Sequence, residues 1–148
     1  MDIFKTTKEA KSNNIILIII CIIKSLAKAP TIPEGVTSLI CTFAGCSSLT
    51  ETPIISENVT IMQATFYGCS SLTEAPVIPA SVTNMHYTFY DCYNLQGDLV
   101  IHATPSSYSH CLYGAAIKGD TLYLSCTSTI LNEILATKSS SGNIVLKP

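Results

Sequence analysis

A chain of 148 residues in which 47% of side chains are hydrophobic fits one folded domain. Only 12% of its residues are charged, the formal net charge is -2, and there is neither Arg nor Trp, so every basic side chain is a lysine. The lysines lie in residues 5–28 and 118–147 around an acidic middle, and no guanidinium fork is present for phosphates or base edges. The composition therefore argues against a nucleic-acid or membrane-surface binder.

The first element is the unbroken apolar run 15–23, well short of the ~20 residues that a membrane-spanning helix needs. Two readings compete for residues 1–25. As a secretory signal the run has Lys5, Lys8 and Lys11 upstream, with Ala27-Lys28-Ala29 as a small-x-small cleavage site. As a degenerate first repeat it places Ile16, Ile20, Ile23 and Leu26 in frame with Met62, Phe66, Cys69 and Leu72 further along the chain. The in-frame alignment favours the repeat.

The heptapeptide GCSSLTE is spelled at 45–51 and again at 68–74. Extended both ways, it yields three ungapped copies of equal length at 42–64, 65–87 and 88–110, with a fainter copy starting near Leu26. Beyond them, Leu99 and Ile101 recur one period later as Leu122 and Leu124, and the run 144–146 follows a further period on, to within one position. A fixed 23-residue period predicts a solenoid, in which one copy is a supersecondary unit that folds only when stacked on its neighbours. Leu72, Ile78, Val82, Met85, Phe89 and Cys92 each have counterparts in neighbouring copies and are the expected inward set.

Within a copy, APVIP and TPIIS predict short rungs of two to four residues, because Pro removes a ladder donor. The rungs at 98–102, 121–125 and 143–147 lack Pro and are expected to pair better. The spacing of Val82, Met85, Phe89 and Cys92 predicts a helical or tight-turn return path. Near the end, STILNEILATK places Ile130, Leu131, Ile134 and Leu135 on one stripe, with Thr127 or Ser128 as N-cap, which predicts a short amphipathic helix. The expected organisation is one repeat domain over 1–148, with the 23-residue repeats at 26–110 and capping rungs and helix at 111–148.

The pattern TFYGCSSLTEAPVIPASVTNM resembles the repeat of BspA-like bacterial leucine-rich-repeat surface proteins, a group also abundant in some mucosal protozoa. The likeness spans roughly residues 26–110, and the tail from Leu99 to Ser125 is similar to the end of such arrays. It implies an α/β leucine-rich-repeat solenoid with short parallel β rungs and a helix-strand cap, extracellular, and engaged in adhesion or protein binding. It brings no catalytic residues. The usual strand motif L-x-x-L-x-L is replaced here by L-x-x-A-P-x-I or L-x-x-T-P-x-I.

Side chains that carry chemistry also recur in columns. Cys46, Cys69 and Cys92 share one repeat position. In-register rungs about 4.8 Å apart would hold their Cβ atoms beyond the usual disulfide separation, which predicts buried thiols acting as small apolar spacers. No zinc-ligand spacing occurs, no carboxylate is placed to orient His86, His102 or His110 as a base, and the Walker and nucleophile-elbow patterns fail on inspection. No enzyme, metal or cofactor is expected.

Tyr67, Tyr90 and Tyr113 recur at the same period beside Phe66, Phe89 and Leu112, and are expected to face outward. Such a column is the candidate partner-binding surface, since Tyr offers large amphipathic contact area at low entropy cost. Glu51 and Glu74 form a second, weaker column. The competing reading is that repetition duplicates everything, useful or not. The rings would then merely cover the return side of the chain. The expected function is a binding module or adhesin at a cell surface or secreted, with a protein or other extracellular macromolecule as partner. The alternative is a structural spacer or end fragment of a larger surface or virion protein, with no ligand of its own.

Overall fold

The structure is a computed structural model that describes residues 24–118, 121–137 and 144–147. Most of the segment 1–25, over which the signal and first-repeat readings compete, lies outside the described residues. Leu26, the last member of the in-frame set, is described and packs against the core.

Each copy folds as a coil of tight turns, and its neighbour repeats it in register. Parallel bridges join Lys28 to Glu51, Ser38 to Ile61, Ile61 to Asn84, Ile78 to Ile101 and Asn84 to Ser107, in every case residues one period apart. The inward set is buried throughout: Leu72, Ile78, Phe89 and Cys92 expose no surface, and Val82 and Met85 expose 1%. The phenylalanines form a stack, Phe43 on Phe66 at 5.4 Å and Phe66 on Phe89 at 5.5 Å, with ring planes within 6° of parallel. Identical side chains at identical positions meet face to face because the backbones beneath them are in register.

Two buried threonine hydroxyls in the coil are satisfied across copies, whereas that of Thr42 has no hydrogen-bond partner among the described residues. The Thr65 hydroxyl donates to the carbonyls of Leu39 and Met62, and that of Thr88 to the carbonyls of Met62 and Met85. Nearer the surface, Thr60, Thr83 and Ser106 each donate to the carbonyl of the equivalent residue one copy earlier. These hydroxyls tie neighbouring copies together without breaking the backbone ladder. A buried hydroxyl left without such a partner would cost about 1–3 kcal/mol.

The thiols at Cys46, Cys69 and Cys92 are buried. Cys69 Sγ lies 3.1 Å from the Phe43 carbonyl and Cys92 Sγ 3.1 Å from the Phe66 carbonyl. Burial pushes the Cys69 and Cys111 thiols up to about 12, and pushes Cys92 the same way. These thiols are held protonated as weak donors, the opposite of an activated nucleophile.

The chain then enters a parallel sheet, β1 (Gly97–Val100), β2 (Leu122–Ser125) and β3 (Ile144–Leu146), in the order β1-β2-β3. A helix, α1 (Ser128–Thr137), connects β2 to β3 and buries Ile130, Leu131 and Ile134. Its first turn closes with the Leu131 N–H on the Thr127 carbonyl at 3.0 Å. The tail departs from alignment at constant spacing. Leu99 pairs with Leu124, not with Leu122, so this step is two positions longer than the period. The next step, from Leu122 to Ile144, is one position shorter than the period. Asp91 N–H still reaches the Tyr113 carbonyl at the regular offset, so the insertion falls between Gly114 and Leu122. A shift of two preserves which face a strand residue occupies, whereas a shift of one would expel Leu122 and Leu124 from the core.

Candidate functional site

The tyrosine column sits on the turn side of the coil, and local backbone geometry explains its alignment. Each copy places two residues in the left-handed region four positions apart. They are Ala64 and Gly68, then Tyr87 and Asp91, then His110 and Gly114. Such residues stop the turns from continuing as a helix. The expected helical-or-turn return path is therefore a run of tight turns. Between each left-handed pair, one side chain points in (Phe66, Phe89, Leu112) and the next points out (Tyr67, Tyr90, Tyr113).

Backbone hydrogen bonds lock this arrangement between copies. The N–H groups of Thr65, Tyr67 and Cys69 bond three residues back along the chain, to the carbonyls of Met62, Ala64 and Phe66. Those of Ala64, Phe66 and Gly68 reach the next copy, at the carbonyls of His86, Thr88 and Tyr90. The alternation repeats with Tyr87, Phe89 and Asp91 bonding to Ser109, Cys111 and Tyr113. Asp91 occupies the position that is Gly in the other copies, since its short polar side chain tolerates positive φ. Its presence in turn excludes a side chain at Gly114, where a Cβ would land on Asp91 Oδ1.

Locked at this spacing, the phenol rings stack. Tyr67 and Tyr90 are 4.9 Å apart with planes 4° from parallel, and Tyr90 and Tyr113 are 5.0 Å apart at 17°. The end rings are the more exposed, Tyr67 at 41% and Tyr113 at 39%. Partial burial in the stack pushes the Tyr90 phenol above its ordinary value, and the neighbouring Asp91 carboxylate pushes the same way. Tyr93 is raised first by its hydrogen bond to Asp91, and the Lys118 ammonium stands 5.5 Å over its ring.

Two further rings join the column. Tyr87 packs edge-on against Tyr90 at 5.5 Å, and His110 lies 5.6 Å from Tyr87 and 5.8 Å from Tyr113. Sequence reasoning did not place Tyr87 or His110 there. Their repeat position reads Cys41, Ala64, Tyr87, His110, four unlike residues with no recurring letter to mark a column. The usable signal was that two consecutive copies put a ring at the position flanking the tyrosine.

The glutamates stand elsewhere. Glu51 is exposed, bridges to Lys28 through the backbone and forms an ion pair with the Lys28 ammonium at 2.5 Å. With both side chains more than half exposed, such a pair is worth about 0–1 kcal/mol. Glu74 is exposed beside a shallow depression shared with Gln96, Gly97, Thr121 and Tyr123. No hydrogen bond, ion pair or ring contact joins either glutamate to the tyrosine column among the described residues.

Among the described residues, no group of three or more His, Cys, Asp or Glu side chains is placed to hold a metal ion, and no helix is long and apolar enough to cross a membrane. Neither a curated protein nor a solved structure matches the chain. A family model does: residues 23–136 match the BspA type leucine-rich repeat region in six copies. A stack of turn-and-rung copies with a parallel sheet is what such a match entails, and the chain belongs to the BspA-type leucine-rich repeat family.

Proposed function

We propose that the protein is a non-enzymatic leucine-rich-repeat binding module, displayed at a cell surface or secreted, that mediates adhesion or protein–protein contact. Its working unit is the 23-residue copy, and α1 with β3 closes the end of the array. The surface assigned to the partner is the column Tyr67, Tyr90 and Tyr113, with Glu51 and Glu74 as separate acidic contacts. One observation carries this reading: three phenols are held in line by backbone hydrogen bonds, yet the two end rings remain about two-fifths exposed. Rings whose orientation is set before binding lose little entropy on contact. Membership of a family whose domains generally mediate protein interactions points the same way.

The test is a binding screen of the full chain against extracellular matrix and host surface proteins, repeated with Tyr67, Tyr90 and Tyr113 all changed to Ser. Saturable binding that the triple variant loses is the expected result. Undiminished binding by a folded triple variant would remove the column from the interface. Absence of any saturable binding would favour the spacer reading.

A further inference from the structure

The tyrosine column ends one ring short. One period before Tyr67 stands Ala44, so among the described residues the outer face of the Tyr67 ring has no aromatic neighbour where the 4.9–5.0 Å stack would continue. Tyr67 accordingly remains 41% exposed. The trans peptide between Ala44 and Gly45 orients the gap. On one side the Gly45 N–H donates to the Tyr67 carbonyl at 2.6 Å. On the other the Ala44 carbonyl accepts from Lys24 Nζ at 2.8 Å. A Cβ built on Gly45 would lie 2.8 Å from the same ammonium, which places the charge beside the gap. The order along the column is thus the Tyr67 ring, the small Ala44 side chain, and a lysine ammonium.

We propose that this gap is a docking slot for one aromatic side chain of a partner protein, which extends the stack on Tyr67 and is faced by the Lys24 ammonium. The inference rests on reading the tyrosine column as the binding surface, and it adds the chemistry that the column selects. A planar ring gains from both neighbours, by stacking on the phenol and through its π face toward the cation. An aliphatic side chain of the same area keeps the apolar contact but lacks the ring-on-ring and cation–π increments. Continuity with the existing stack decides the occupant, because the slot repeats the geometry that already holds Tyr90 on Tyr67.

The chain has no Trp, so the emission of an added indole can be followed without background. N-acetyl-tryptophanamide titrated into the full-length protein should show a saturable emission shift. Ala44→Tyr supplies the missing ring from within, and should weaken this binding at least about tenfold while leaving the melting temperature at or above that of the parent. Tyr67→Ala should weaken it similarly, Lys24→Gln by a smaller factor, and N-acetyl-leucinamide should not compete. The slot is refuted by the absence of a saturable shift, by unchanged affinity in a folded Ala44→Tyr variant, or by equal competition from the leucine amide. A protein partner that binds Ala44→Tyr normally but loses affinity for the triple tyrosine variant would refute the slot and leave the proposed function standing.

Discussion

The middle of the coil and its C-terminal sheet hold neighbouring copies together by different means. From β1 to β3 the rungs pair residue by residue, with four partners between β1 and β2 and three between β2 and β3. In the middle, Pro53 and Pro76 lack the N–H that a ladder needs, and among the described residues no bridge joins 53–55 to 76–78. The outer residues of those rungs stand free, Ile54 at 92% exposure and Val77 at 53%. Cohesion there passes to the opposite side of the coil, to the alternating turn bonds, the phenylalanine stack and the threonine hydroxyls. A solenoid copy needs one well-bonded side to set its register, and that side need not be the strand.

Deletions test this division most severely. Removing 65–87 as a block should leave a cooperatively folding protein, since copies 42–64 and 88–110 carry matching turn bonds. Removing only 65–75 should abolish cooperative unfolding in urea, because it breaks the turn side that sets register. Cooperative folding of the shorter deletion, with aggregation of the longer one, would mean the unit is misassigned.

Core truncation should show the next largest effect. Phe66→Ala removes the middle ring of the stack and should cost about 3–5 kcal/mol in denaturant unfolding, against about 2–5 kcal/mol for Leu124→Ala in the sheet. A Phe66 loss below about 1 kcal/mol would show that the stack contributes little to the middle copies.

Alkaline pH probes the buried thiols, of which Cys69 and Cys92 lie in the middle copies and Cys111 beyond them. Cys69 is raised from 9.0 to about 12 by burial, so between those values the folded state binds the proton that the unfolded chain releases. Stability is therefore intact below pH 9 and falls as pH rises toward 12, by about 1.4 kcal/mol per pH unit for each such thiol. Cys69→Ala should flatten the decline measured by urea midpoints from pH 8 to 11, and an unchanged slope would count against a buried thiol there.

The hydroxyls separate by depth. Thr88→Val deletes a buried donor that reaches two carbonyls and should cost about 1–2 kcal/mol, while Thr83→Val at an exposed position should cost under about 0.5 kcal/mol. At the surface, Tyr67→Ala is expected to cost under about 1.5 kcal/mol because the ring is part-exposed and stacks on Tyr90. A loss equal to that of Phe66→Ala would show that the inward and outward rings have been exchanged.

Recurrence made much of this legible in advance. Phe43, Phe66 and Phe89, Cys46, Cys69 and Cys92, and Tyr67, Tyr90 and Tyr113 repeat at one spacing, and stacking in register brings like onto like. The apolar stripe in α1 was equally plain, because Ile130, Leu131 and Ile134 share a helical face. Recurrence was silent wherever unlike positions meet.

The sequence by itself therefore determined the repeat, its inward letters and the outward tyrosine column, since each is a property of one position compared with itself a copy later. Tertiary structure alone decided the lengthened step from Leu99 to Leu124, because parity of facing permits a two-position shift that no count of letters forbids. It decided too that Tyr87 and His110 swing in beside the column, since left-handed turns set where those rings point. And it alone brought the Lys24 ammonium to the Ala44 carbonyl, where a short side chain, a bare ring face and a charge meet only once the backbone has closed its turn.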